Sequence, residues 1–117
     1  MTTIVRPLDL TTLHLDKGSH RRPADNGPGP MCLLEAATWM AGEDWSDHPA
    51  CVSLVLAEFG RDLNDLLPDD KRQQLVPLIP LMLGTADDGL DETRSYLALD
   101  WLVRFEESDW DRVDTPT

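Results

Sequence analysis

His20, Cys32, Glu35, His48 and Cys51 place two thiols, two imidazoles and a carboxylate in one short stretch of this 117-residue chain. Nothing else in the sequence has comparable chemical density. Zinc takes four such ligands in a tetrahedron, and two ligands on one helix must lie a turn apart. Cys32 and Glu35 meet that spacing in Met31-Cys32-Leu33-Leu34-Glu35, and His48 and Cys51 meet it in Asp47-His48-Pro49-Ala50-Cys51. The expected zinc set is His20, Cys32, His48 and Cys51. Glu35 is a replacement ligand, or the acceptor that orients a ligand imidazole. A helix N-terminus near Pro49, with Cys51 in its first turn, would favour the Cys51 thiolate. The spacing is not a paired C-x2-C, so two other readings stand beside this one. In one, both cysteines are small core residues, His48 caps a helix, and Glu35 pairs with Arg21, Arg22 or Arg61. In the other, the cysteines form a disulfide.

The elements that must position these groups read as an all-α protein. It is a compact bundle of four or five helices with an irregular or short-strand N-terminal arm. Residues 1–30 are the arm and a loop, 31–105 the helical domain, and 106–117 an acidic tail in which Trp110 has room to dock. Residues 1–15 alternate weakly, as in a short strand. The Gly- and Pro-rich stretch from Gly18 to Pro30 is long for a compact domain and must be mobile or pinned; a bond from His20 to a metal is one such pin. Pro30 suits the first turn of a helix over 31–41, and Gly42 suits its exit. That helix is apolar on most sides, which predicts a central position. A second helix is predicted from Pro49, capped by Asp47 or His48, through Phe59, where it either stops at Gly60 or runs on through Leu63 and Leu66. Pro68-Asp69-Asp70 opens a third, and Pro77 and Pro80 cut the next stretch into short turns. The last helix spans 91–105, with Leu97, Ala98, Trp101, Leu102 and Phe105 as its inward stripe.

The net charge is -12. Residues 1–30 are slightly basic, and the acids concentrate beyond Met31. Such a surface repels phosphates, which argues against direct binding to nucleic acid or an anionic membrane. A basic protein surface, including that of a nucleic-acid-binding protein, becomes the expected partner. Trp45, in the acidic turn Glu43-Asp44-Trp45-Ser46-Asp47, either packs over the helix junction or anchors that partner; Asp69, Asp70, Asp87 and Asp88 would meet it. Asp87-Asp88-Gly89-Leu90-Asp91-Glu92 lacks the twelve-residue calcium pattern and reads as a solvated turn. The start of the chain has no apolar signal region, and no run approaches a membrane span, so a cytoplasmic protein with reduced or metal-bound cysteines is expected.

Gly18-Ser19-His20, Met31-Cys32-Leu33-Leu34-Glu35-Ala36, Ala41-Gly42-Glu43, Trp45-Ser46-Asp47-His48-Pro49-Ala50-Cys51 and Ala98-Leu99-Asp100-Trp101-Leu102-Val103-Arg104 form a distinctive series. From Gly18 to Arg104 the chain resembles a set of small uncharacterised proteins of high-GC actinobacteria and their phages. After Arg104 it departs from them, since they continue into a further apolar segment. The resemblance implies no activity. The expected function is that of a small non-enzymatic protein-binding module of the phage accessory type, zinc-stabilised where the metal reading above holds. In its sharpest form it inhibits a nucleic-acid-handling machine by mimicry, as an anti-CRISPR protein would. The alternatives are a small zinc-dependent hydrolase with Glu35 as base, and a scaffold subunit of a larger assembly.

Overall fold

Cys32 and Gly42 bracket the helix around which the rest of the molecule is built. The computed structural model describes residues 4–24 and 29–108. Helix α1 (Leu33–Ala41) is buried at every position from Leu33 to Met40. A helix with no solvent face belongs at the centre of its domain, as its composition predicts. It stops at Gly42, whose φ of 75° turns the chain so that the Glu43 N–H reaches back to the Thr38 carbonyl, while the Gly42 N–H donates to the Trp39 carbonyl. Pro30 lies two residues ahead of the Cys32 cap, outside the first turn where it was expected.

Helix α2 (Leu54–Leu66) turns Ala57, Gly60 and Asn64 inward. Their small size allows close approach to α1. A Cβ on Gly60 would stand 3.1 Å from Cδ2 of Leu33. Glycine costs a helix interior about 1 kcal/mol relative to alanine; here it is offset by the contact that the missing side chain permits. Pro68 and two aspartates open α3 (Asp69–Arg72). A 3-10 turn follows over Gln73–Leu78, then α4 (Ile79–Met82), so Pro77 and Pro80 divide this stretch as expected. A second 3-10 turn, Thr85–Asp87, precedes α5 (Asp91–Ser108).

The N-terminal arm is held against α1 without forming a strand among the described residues. Leu15 and Met31 make one isolated parallel bridge, and both are fully buried. The side chain of Gln73 completes the pairing: its Oε1 accepts the Leu15 N–H at 2.7 Å and its Nε2 donates to the Leu15 carbonyl at 2.8 Å. Further back, the Val5 and Arg6 amides donate to the Met40 carbonyl.

Three expectations need correction. The second helix begins at Leu54 and not at Pro49, with Ser53 as its cap. Neither Asp47 nor His48 caps a helix, because the Glu43 carboxylate takes up the Ala50 and Cys51 amides and folds this segment into turns. Three members of the α5 stripe are not core: Leu97 is 63% exposed, Trp101 39% exposed and Ala98 half-buried, while the side chains of Leu102 and Phe105 lie outside the described ones. Helix α5 packs chiefly on α2, which covers only one side of it. Trp101 still meets Phe59 edge-on, with ring centroids 5.3 Å apart. Trp110 and the rest of the tail beyond Ser108 lie outside the described residues.

Candidate functional site

Glu35 is the best-connected of the residues singled out by chemistry. It occupies the third position of α1 and is 1% exposed. Its carboxylate accepts the backbone N–H of His20 at 2.6 Å and that of Cys32 at 2.9 Å. The His20 ring Nδ1 lies 2.9 Å from Oε1. In return, Cys32 Sγ accepts the Glu35 N–H at 3.4 Å. This is a capping box with cysteine where serine or threonine is usual. The i, i+3 spacing of Cys32 and Glu35 therefore closes a helix end. The loop that needed a pin is fastened here, by a buried carboxylate and by Trp45, whose indole Nε1 donates to the His20 carbonyl at 2.7 Å. Glu35 thus finds its partner in His20 and not in Arg21, Arg22 or Arg61. Arg61 instead bonds Glu58 and the Asp47 carbonyl.

The second cysteine segment is organised by a different acid. Glu43 accepts the Ala50 amide at 2.7 Å and the Cys51 amide at 2.9 Å. His48 is exposed, with its Nδ1 2.6 Å from Asp47 Oδ1. Both cysteines are free thiols. Burial, joined by the Glu35 charge, pushes the Cys32 thiol up to about 12. Burial and the Glu43 carboxylate push Cys51 up to about 11. The helix-favoured thiolate expected at Cys51 is thus corrected, since no helix starts there. Among the described residues, no three His, Cys, Asp or Glu side chains are grouped so as to hold a metal ion. The structure links His20 and Cys32 through Glu35, and it engages His48 and Cys51 with Asp47 and Glu43.

The acids assigned to a partner divide into two kinds. Asp69 is engaged with His14, Arg72 and Gln73. Asp88 pairs with Arg94, which holds its carboxyl below the usual range. Asp70 and Asp87 are exposed. Trp45 is half-buried, edge-on to Trp39, and serves the fold.

Three positioning residues escaped the sequence reading. Buried Asn64 accepts the Leu33 N–H at 3.1 Å and donates to the Asp16 carbonyl at 3.0 Å, so it joins α2 to α1 and the arm. Arg72 donates to the carbonyls of Asn64 and Leu67 at the α2 exit. Arg6 donates to the carbonyls of Trp39 and Glu43 and lies 4.5 Å over the Trp39 ring. A basic residue near a helix exit is a usable signal for Arg72. None marked Asn64 or Arg6.

The exterior of α2 and α5 carries a run of apolar side chains that the fold leaves uncovered, and Val5, Leu78 and Leu81 are exposed elsewhere. Leu54 is 76% exposed, and Tyr96, Leu99 and Val103 are exposed along α5. Two cavities flank Leu54. One, of about 390 Å³, is lined by Leu54, Val55, Glu58, Phe59, Asp62 and Ala98. The other, of about 340 Å³, shares Leu54 and Glu58 and adds His48, Ala57, Arg61 and Asp91. No protein-family model, curated protein or solved structure matches the chain.

Proposed function

We propose that this chain is a small acidic, non-enzymatic module that acts by binding a basic protein surface. The observation that carries the reading is the exterior of α2 and α5. Leu54, Tyr96, Leu97, Leu99 and Val103 stand exposed on a chain of net charge -12. Tyr96, Leu99 and Val103 recur at i, i+3 and i+7, so they share one helix face. Ala98, half-buried, lies on the other side of α5. Exposed apolar patches with a polar rim mark contact surfaces. The excess of carboxylates selects a partner of opposite sign and opposes pairing of two identical copies.

The groups suited to chemistry are committed elsewhere. Glu35 serves three hydrogen bonds, and both thiols stay protonated near neutral pH. No described helix is long and apolar enough to cross a membrane. Inhibition of a nucleic-acid-handling machine is the narrower form of this reading, with carboxylates occupying Lys and Arg positions that ordinarily hold phosphates. Asp70 and Asp87 suit that role better than Asp69 and Asp88, whose charges are matched within the fold.

The test is retention of purified nucleic-acid-binding domains, of pI above about 9, on the immobilised full-length chain, beside acidic control proteins. Retention of basic domains that falls steadily with added salt is expected. Equal retention of acidic controls, or retention indifferent to salt, overturns the reading.

A further inference from the structure

Leu54 is the first residue of α2 and the most exposed large apolar side chain among the described residues. An isolated exposed leucine needs no explanation. This one stands between two cavities, with Val55, Phe59 and Ala98 on one side and Ala57 and Val52 on the other. The surface is a knob between two depressions, one lined mainly by apolar side chains and the other by apolar side chains together with His48, Glu58, Arg61 and Asp91. A knob beside such depressions is how one helix receives the side chains of another. Its charged rim has one dominant sign. Glu58, Asp62 and Asp91 line the cavities; Arg61 pairs with Glu58 and Arg94 with Asp91, which leaves Asp62 as the rim carboxylate whose charge is not matched among the described residues. Asp62 lies one helical turn beyond Glu58, and both are exposed.

We propose that the cavities flanking Leu54 are the docking site for a basic amphipathic helix of the partner. Apolar residues one turn apart on that helix straddle Leu54 and enter the two cavities. A lysine or arginine beside them reaches Asp62. This rests on the reading of the chain as a binder of basic proteins and names where and what it binds. A second copy of the chain is a poor occupant, because it would bring the same carboxylates against this rim. Leu54 contributes little to the fold at its exposure, so it can be altered without loss of structure.

The experiment titrates the full-length chain with a synthetic helical peptide of leucine and lysine in an amphipathic repeat, followed by amide chemical shifts and by anisotropy. Perturbations are expected at Leu54, Val55, Phe59 and Ala98. Leu54→Ala and Asp62→Lys should each weaken binding by about tenfold, while Leu81→Gln, exposed on α4 and outside both cavities, leaves it unchanged. Absence of binding, perturbations centred on Tyr96, Leu99 and Val103, or affinity indifferent to both Leu54→Ala and Asp62→Lys would overturn the site. So would a concentration-dependent dimer of the free chain that Leu54→Ala abolishes, since a second copy would then be the occupant. Salt-sensitive retention of basic domains that survives Leu54→Ala and Asp62→Lys would remove this site and leave the broader reading standing.

Discussion

Glu35 holds His20 twice, through the backbone amide at 2.6 Å and through the ring Nδ1 at 2.9 Å. The carboxylate is buried at the start of the central helix, so one side chain closes that helix and fastens the loop across it. Replacing it strands donors in a place water does not reach. Glu35→Ala should destabilise the fold by about 3 kcal/mol, and Glu35→Gln, which keeps one acceptor oxygen, by less. Urea unfolding measures both. A loss below about 1 kcal/mol for Glu35→Ala would show that the buried amides find other acceptors.

Cys32 distinguishes a helix cap from a zinc ligand. As a cap, its sulfur is replaceable by a better acceptor. Cys32→Ser should change stability by less than about 1 kcal/mol, whereas Cys32→Ala should lose about that much. As a zinc ligand, both changes would release the ion and a large part of the folding free energy. Elemental analysis of untagged protein, run beside the unfolding curves, separates the two. One zinc per chain, lost in both variants together with stability, would restore the metal site.

The buried thiols set a pH dependence on the alkaline side. From an ordinary value of 9.0, Cys32 is raised to about 12 and Cys51 to about 11 in the folded chain. Above pH 9 the unfolded chain releases these protons while the folded chain keeps them. The folded state then binds more protons, and its stability falls as pH rises. This contribution is intact below pH 9 and declines through the range up to the folded values. The urea midpoint should therefore drop between pH 8 and pH 10.5, and less steeply in Cys32→Ser. Alkylation at pH 8 should be slow at both thiols and slower at Cys32. A rapid reaction at Cys51 would indicate the thiolate that a helix start was expected to favour.

Much of the architecture was legible in the order of residues. Gly42 ended α1 where its backbone freedom was needed, Pro68 and two aspartates opened α3, and Pro77 and Pro80 divided what followed. What could not be read was which group would satisfy a given amide. Pro49 after Asp47-His48 carries a sound helix-start signal. Glu43 supplies the same service to the Ala50 and Cys51 amides from a neighbouring turn, and the helix waits for Ser53. Cys32 and Glu35 stand one turn apart, a spacing shared by a ligand pair and a capping box, so spacing alone did not choose between them. Periodicity likewise marked an apolar stripe on α5. It carried no information on whether anything within the chain would cover it.

Gly42 gives the arm a steric test. Its φ of 75° is disfavoured for any side chain, and a Cβ there would lie 2.7 Å from Val5 Cγ1. Gly42→Ala should cost more than about 1 kcal/mol and push Val5 away from the α1 exit. Loss of amide protection at Val5 and Arg6, which both donate to Met40, would report that displacement.

Gln73 tests whether the arm opens separately from the core. Its amide imitates a neighbouring strand by bonding both the N–H and the carbonyl of Leu15. Gln73→Ala removes both bonds and leaves the Leu15–Met31 bridge as the local restraint, with the Asp16 amide on the Met31 carbonyl. Each lost bond contributes about 1 kcal/mol, and Gln73 is only half-buried, so water can replace part of it. Hydrogen exchange at Leu15 and Asp16 should accelerate more than exchange within α1. An equal acceleration in both places would mean that the arm and the central helix unfold as one cooperative unit. The arm would then be as much a part of the core as the buried Leu15 side chain.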